Sequence, residues 1–181
     1  MAKWIIIAVV LVVVWVIYSY NKLIKLKIQA ENGWSQIDTQ LQRRYDLIPN
    51  LVETVKGYAE HEMEIFDKVT KARAGLDAAT TVADKAQADS VLSDSVKSIF
   101  AVAENYPTLK ANENFKELQV ELAGTENKIA YARQFYNDTV SELNQATEMF
   151  PTNVIAKLFG IMAREFFESK QEAAEPVKVD F

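Results

Sequence analysis

WIIIAVVLVVVWVIYSY, residues 4–20, is a run of seventeen residues without a charge, a glycine or a proline. As a helix this run covers roughly 26 Å, because each residue adds about 1.5 Å. That length is close to the hydrocarbon thickness of a bilayer. Trp4, Tyr18 and Tyr20 lie near the two ends of the run, where amphipathic rings favour the headgroup level. The run therefore predicts one transmembrane helix, preceded by a short N-terminal end at residues 1–3.

A cleaved signal peptide is the alternative interpretation of this run. Its apolar stretch is longer than a usual signal core, and no small-x-small cleavage pattern follows it, so an uncleaved anchor is favoured. Lys22, Lys25 and Lys27 follow the run, whereas only Lys3 and the terminal amine precede it. This excess of positive charge favours an outside N-terminus and a cytoplasmic location for the rest of the chain.

The composition limits the kinds of fold and chemistry that are open to the chain. Its 181 residues include no cysteine, five glycines and four prolines. The lack of cysteine excludes disulfide scaffolds, thiol catalysis and cysteine-based zinc sites, and the shortage of turn residues favours a few long helices. Residues 76–181 carry seventeen acidic and ten basic residues, which is a poor match to a phosphate backbone. We therefore expect no nucleic acid partner.

An amphipathic stripe follows the apolar run. Its members, spaced by three or four, are Ala30, Trp34, Ile37, Leu41, Tyr45 and Ile48, and this spacing is typical of a helix with one buried face. Pro49 interrupts the helix, yet Leu51 or Val52 and Val55 keep the same apolar phase. Two interpretations stay open: a kinked helix that continues to about residue 74, or a new helix capped by Asp46.

The middle of the chain is less regular. Residues 75–88 lose the apolar periodicity and predict a loop, and residues 89–104 recover it weakly. The sequence Glu104-Asn105-Tyr106-Pro107 predicts the end of a helix, and Thr108 or Asn112 is a candidate cap for the next one.

Residues 112–150 have the strongest periodicity. Large residues recur every seven positions at Phe115, Leu122, Ile129, Tyr136, Leu143 and Phe150. A strict seven-residue repeat predicts packing at shallow crossing angles, as in helical bundles. Pro151 ends this segment, and residues 153–168 predict a shorter amphipathic helix. The predicted fold is all-α: the spanning helix at residues 4–20, an antiparallel bundle of about four helices at residues 21–168, and a polar tail at residues 169–181.

The chain resembles the LemA family of bacterial membrane-anchored proteins. The resemblance rests on YNKLIKLKIQAENGWSQIDTQLQRRYDLIPNLVETVKGYAEHE at residues 20–62, AENYPTLKANENFKELQVELAGTENKIAYARQFYN at 103–137, FPTNVIAKLFG at 150–160 and the closing VKVDF. It implies a short N-terminal end outside the cytoplasmic membrane, one helix that spans it and a helical-bundle domain on the inside. It implies no particular reaction; some members are linked to building internal membranes and others to membrane stress.

Six residues form a candidate partner-binding surface: Asn105, Tyr106, Asn112, Asn114, Arg43 and Arg44. The four around Pro107 are polar and aromatic residues of the kind that bind partners from loops, although capping of two helix ends explains most of the asparagines. Arg44 falls where the stripe expects an apolar residue. Pairing with Glu121 or Glu126 is the favoured explanation, and an anionic partner is the alternative.

The sequence offers no set of catalytic, cofactor-binding or metal-binding residues. His61, the only histidine, lies between Glu60 and Glu64, but this is half of one carboxylate–histidine motif and too few ligands for a di-iron or zinc site. The favoured function is therefore a non-catalytic scaffold or adaptor for unidentified protein partners in membrane biogenesis or stress. A lipid-organising protein that self-assembles into a homo-oligomer is the alternative, and a metal-binding or enzymatic bundle is less favoured.

Overall fold

A computed structural model describes residues 1–59 and 61–168. Every regular element in these ranges is a helix, which confirms the all-α prediction. The helices are α1 (Ala2–Lys56), α2 (Met63–Ala78), α3 (Val82–Ala103), α4 (Pro107–Ala111), α5 (Glu113–Glu148) and α6 (Thr152–Leu158). The predicted polar tail at residues 169–181, including the closing VKVDF, lies outside the described residues.

The chain packs as two compact units. Among the described residues, unit 1 comprises Met1–Ser35 and Arg133–Phe166, and unit 2 comprises Gln36–Ala132 with Phe167 and Glu168. The two longest helices, α1 and α5, each contribute residues to both units. The predicted domain boundary after residue 20 marks a change from apolar to polar sequence, and it stays a prediction.

Helix α1 continues through Pro49 and ends at Lys56. Proline has no N–H to donate, so the carbonyl of Tyr45 lacks its usual partner within the helix. The Nε–H of Arg73 donates to that carbonyl oxygen over 3.1 Å, which satisfies the freed acceptor. A new helix capped by Asp46 is therefore wrong. Continuation to residue 74 is also wrong, because the chain turns after Lys56 and α2 begins at Met63.

The predicted loop over residues 75–88 is also wrong. Helix α2 extends to Ala78 and α3 begins at Val82, and the Thr81 hydroxyl caps α3 by accepting a hydrogen bond from the Asp84 N–H over 3.0 Å. The buried face of α3 consists of Ala86, Asp89, Leu92, Ser95, Val96, Ile99 and Ala103. Because two members of this face are polar, its periodicity is weak on a hydrophobicity criterion alone.

Helix α5 matches the seven-residue repeat. Asn112 caps it as predicted, since its Oδ1 accepts a hydrogen bond from the Phe115 N–H over 3.0 Å. The repeat residues Phe115, Leu122, Ile129, Tyr136 and Leu143 are each at most 4% exposed. Phe150 departs from the pattern: it follows the end of α5 and is 82% exposed.

Helix α6 is shorter than the predicted helix at residues 153–168. It ends at Leu158, and Gly160 adopts a left-handed φ of 66°. The N–H groups of Ile161 and Gly160 donate to the carbonyls of Ala156 and Lys157, which is the Schellman pattern that stops a helix. Residues 161–168 are not helical.

Within unit 1, α1 and α5 approach closely and run antiparallel. A Cβ added at Gly33 would lie 3.2 Å from a Phe135 ring carbon and 3.3 Å from the Tyr136 Cα. Next to this contact the Trp34 and Tyr136 rings lie 6.0 Å apart. A second apolar cluster in the same unit joins α1, α5 and α6 through Leu23, Leu26, Leu143, Ile155, Ala156 and Ile161.

Candidate partner-binding groove

Unit 2 contains an open groove of about 870 Å³ between the last turns of α1 and the first turns of α5. Its lining comprises Asn50, Glu53, Thr54, Asn114, Lys116, Glu117, Leu118, Val120 and Glu121. The groove is wide enough to receive several side chains of a partner, and it includes Asn114 of the predicted surface.

The groove is acidic with an apolar element. Glu53, Glu117 and Glu121 outnumber the single cation Lys116, and Val120 is 72% exposed. Glu121 also accepts a hydrogen bond from Arg43 over 3.1 Å, in a pair that is about half exposed on both sides. An exposed pair of this kind contributes little to stability, so Arg43 is free to exchange its partner.

The Pro107 turn holds three more of the predicted residues. Asn112 donates from its amide to the Tyr58 hydroxyl over 3.0 Å in addition to capping α5. The Tyr106 hydroxyl donates to a Glu62 carboxylate oxygen over 3.3 Å. Partial burial, and then the negative charge and hydrogen bond of Glu62, raise the pKa of Tyr106. Asn105 is exposed. Apart from Asn105, these groups hold helix ends together.

Arg44 lies in the interior of unit 2 with 3% of its surface exposed. Its Nη1 donates to Asp89 over 2.5 Å and to Ser93 over 2.9 Å, and its Nη2 forms an ion pair with Glu126. The structure thus shows the predicted pairing with Glu126 and adds Asp89. The guanidinium is enclosed by these partners in the interior of unit 2, which favours the predicted structural pairing over an anionic partner. The six-residue binding surface as a whole stays a prediction.

Most of the groove was not anticipated from the sequence. Glu117 and Glu121 are four positions apart on α5 and therefore lie on one face of that helix. Their shared face could have been predicted from this spacing. Asn50, Glu53 and Thr54 carry no such signal, because they share the groove only through the packing of α1 against α5.

The groove supplies carboxylate and amide groups that can bind a partner. In the described part of the chain, no cluster of three or more histidine, aspartate or glutamate side chains is placed to hold a metal ion. His61 is exposed, and its neighbour Glu60 lies outside the described residues.

Helix α1 is long and apolar enough to cross a membrane, and its apolar stretch lies near the N-terminus. The side chains of residues 4–14 are exposed, including Trp4 at 76% and Leu11 at 64%. Burial in the protein therefore does not account for this apolar surface, and a bilayer is the surrounding that does.

Comparison with known proteins places these features in context. The sequence profile of the LemA family matches residues 33–181. The chain is 24% identical to the magnetosome protein MamQ 2 of Paramagnetospirillum magneticum, over 95% of this chain and 73% of that protein. It is 26% identical to the protein LemA of Metamycoplasma hominis, over 88% of this chain and 73% of that protein. It is also 23% identical to the magnetosome protein MamQ of Magnetospirillum gryphiswaldense, over 87% and 68% of the respective chains.

Proposed function

The chain belongs to the LemA family, and on that premise we propose that it is a single-pass membrane protein whose helical domain serves as a scaffold or adaptor without catalytic activity of its own. The observation that supports this proposal is the groove of unit 2, an open cavity lined by carboxylate, amide and apolar side chains. The expected setting, membrane biogenesis or membrane stress, rests on the family resemblance.

The groove fits a cationic, amphipathic helical segment of another protein. Glu53 and Glu117 would pair with lysine or arginine side chains, while Val120 and Leu118 would cover an apolar side chain. Charge complementarity of this kind guides association and fixes the register of a partner. Asn114 and Arg43 lie at the same site and would add hydrogen bonds.

We place the anchor at residues 4–20 in the bacterial cytoplasmic membrane, with residues 1–3 outside and residues 21–168 in the cytoplasm. Lys22, Lys25 and Lys27 next to the apolar stretch support this orientation, because positively charged flanks are retained on the cytoplasmic side.

Site-specific photo-crosslinking in living cells tests the groove. A photoreactive amino acid at Val120, which lines the groove, is compared with one at Tyr131, which is equally exposed on the same helix of unit 2 but outside the groove. We expect a crosslink to one defined heterologous protein from position 120 and none from position 131. Charge reversal by Glu53→Lys or Glu117→Lys should abolish it, whereas Asp67→Lys, an exposed carboxylate on α2, should leave it intact.

The mass and the position dependence of the crosslink distinguish an adaptor from the self-assembling alternative. A crosslinked species of twice the 20.5 kDa chain mass, containing this chain alone, would favour the self-assembling alternative. A crosslink that survives both groove reversals, or equal crosslinking from both positions, would overturn the groove as the docking site.

A further inference from the structure

A patch of exposed apolar side chains surrounds α6 in unit 1. Its members, each at least half exposed, are Met149, Phe150, Val154, Leu158, Phe159 and Met162. We call these six residues the α6 patch. So many exposed large apolar side chains in one short segment are unusual on a protein surface that faces only water, and they mark a site of interaction.

The opposite side of α6 fixes where the patch lies along α1. Ile155 and Ala156 are buried in the apolar cluster of unit 1, and Trp15, Val16 and Tyr20 pack against that cluster. The rings of Tyr20 and Phe159 lie 4.6 Å apart. Trp15 and Val16 belong to the apolar stretch at residues 4–20, and Trp15 precedes the end of that stretch by about 7.5 Å of helix. An element that packs on these residues is therefore at the level where the hydrocarbon meets the headgroups.

The lysine side chains of unit 1 near this level are of the kind found at a membrane–water interface. Lys157 is exposed on α6 itself. A groove of about 520 Å³ next to the apolar stretch has two cations, Lys22 and Lys25, and one carboxylate, Glu142; the rest of its lining is Tyr18, Asn21, Leu26 and Gln29. Cationic side chains beside apolar ones are the pattern of segments that lie in the plane of a membrane surface.

We propose that the α5–α6 turn and α6 enter the same leaflet that residues 4–20 leave, as a second membrane contact that is independent of the partner groove. The occupant of the α6 patch is the lipid bilayer, because the patch is continuous with the lipid-facing surface of α1 through Tyr20 and Phe159. A single spanning helix by itself leaves the tilt of unit 1 relative to the membrane plane unrestrained. A second contact restrains that tilt and sets which face unit 1 turns toward the membrane.

Spin labelling of the full chain tests this proposal. The protein has no cysteine, so Phe150→Cys, Leu158→Cys and Met162→Cys each give one nitroxide site, and Tyr131→Cys is an equally exposed control in unit 2. The chain is placed in liposomes and in nanodiscs that hold one copy, both made of phosphatidylethanolamine with a minority of phosphatidylglycerol. Collision rates with oxygen and with a water-soluble nickel chelate are then measured by power saturation.

We expect the three α6 positions to collide more with oxygen and less with nickel than position 131, both in liposomes and in single-copy nanodiscs. The three sites are independent and exposed, so the test does not depend on the folding of any one variant. High nickel collision rates at positions 150 and 158 in the nanodisc would overturn the proposal. Protection that is present in crowded liposomes but lost in single-copy nanodiscs would also overturn it, because a second copy of the chain would then be the occupant.

Discussion

The two units of the molecule differ in where they keep apolar and charged groups. Unit 1 exposes most of its large apolar side chains, from Trp4 through Val14 and again in the α6 patch, whereas unit 2 exposes few. Unit 2 instead buries an ion cluster of Arg44 with Asp89. An exposed apolar surface marks contact with a membrane or with another protein, while a buried ion pair is held by specific geometry. Unit 1 therefore has the exposed apolar surface that suits contact with a membrane, whereas unit 2 keeps most of its large apolar groups and this ion pair inside.

The largest expected effect comes from breaking the ion cluster of unit 2. Arg44→Ala removes the guanidinium from the buried Asp89 carboxylate, and loss of one member of a buried pair costs about 3–5 kcal/mol. Arg43→Ala, at the adjacent exposed pair with Glu121, should cost less than about 1 kcal/mol. Urea unfolding of the full chain in detergent, followed by helical circular dichroism, measures both. Equal stability of the two variants would contradict a stabilising role for the buried ion cluster.

The second prediction concerns how unit 2 tolerates Pro49. Arg73 donates to the Tyr45 carbonyl that Pro49 leaves free, and its guanidinium lies 3.7 Å from the centre of the Tyr45 ring. Arg73→Ala should cost about 1.5–3 kcal/mol, as expected for a hydrogen bond from a charged group. In a Pro49→Ala background the helix can satisfy that carbonyl itself, so Arg73→Ala should cost less. A double-mutant cycle measures this coupling, and strictly additive effects would contradict the role assigned to Arg73.

The third prediction tests the close helix contact of unit 1. Gly33→Leu forces a side chain toward the Tyr136 backbone, and overpacking of this kind costs about 1–3 kcal/mol. The matched change Gly124→Leu, where an added Cβ meets no atom within 4 Å, should be neutral or stabilising because leucine favours helices. Thermal unfolding of both variants is the measurement. A Gly33→Leu variant as stable as the parent would show that the two helices do not need to approach closely.

The smallest expected effect is on the pH dependence of the folding stability of unit 1. Burial raises the pKa of Tyr136, with a smaller opposing influence of Arg164 and a further raising one of Glu165. The folded state therefore holds the phenolic proton more tightly than the unfolded state does. The stability from this group is present below the ordinary pKa of about 10 and is lost as pH rises through the raised pKa.

Tyr136→Phe should accordingly flatten the alkaline loss of stability while lowering stability at neutral pH by about 1 kcal/mol, since the hydrogen bond to the Glu165 carbonyl is removed. Tyr131→Phe, at a 76% exposed residue, should leave the neutral-pH stability unchanged. Unfolding free energies on both sides of pH ~10 provide the measurement. An alkaline slope as steep in Tyr136→Phe as in the parent would exclude this tyrosine as the source.

Sequence reasoning succeeded where a local pattern carried the information. The seven-residue repeat of α5 and the cap by Asn112 are both local, and both were predicted. The end of α6 could also have been predicted, because Gly160 is a glycine at the position where a helix stops. The apolar residues that follow it favoured a longer helix instead.

The errors arose where distant residues determine the structure. The continuation of α1 through Pro49 is completed by Arg73 on another helix. Helix α3 was partly missed because Asp89 and Ser95 lie on its buried face. The Ser95 hydroxyl is satisfied locally by the Val91 carbonyl, whereas Asp89 pairs with the distant Arg44. For the same reason the groove lining beyond Asn114 was not predicted, since it combines two helices that are far apart in sequence.

The central claim is that unit 2 works in the cytoplasm while the apolar stretch of α1 anchors it. The cysteine-free chain allows a direct test with Ala2→Cys and, separately, Ala101→Cys, two exposed positions. Intact cells are treated with a membrane-impermeant maleimide, and permeabilised cells confirm that both thiols react. The account predicts labelling of Ala2→Cys alone in intact cells. Labelling of Ala101→Cys in intact cells would contradict it, because unit 2 would then lie outside the cytoplasm.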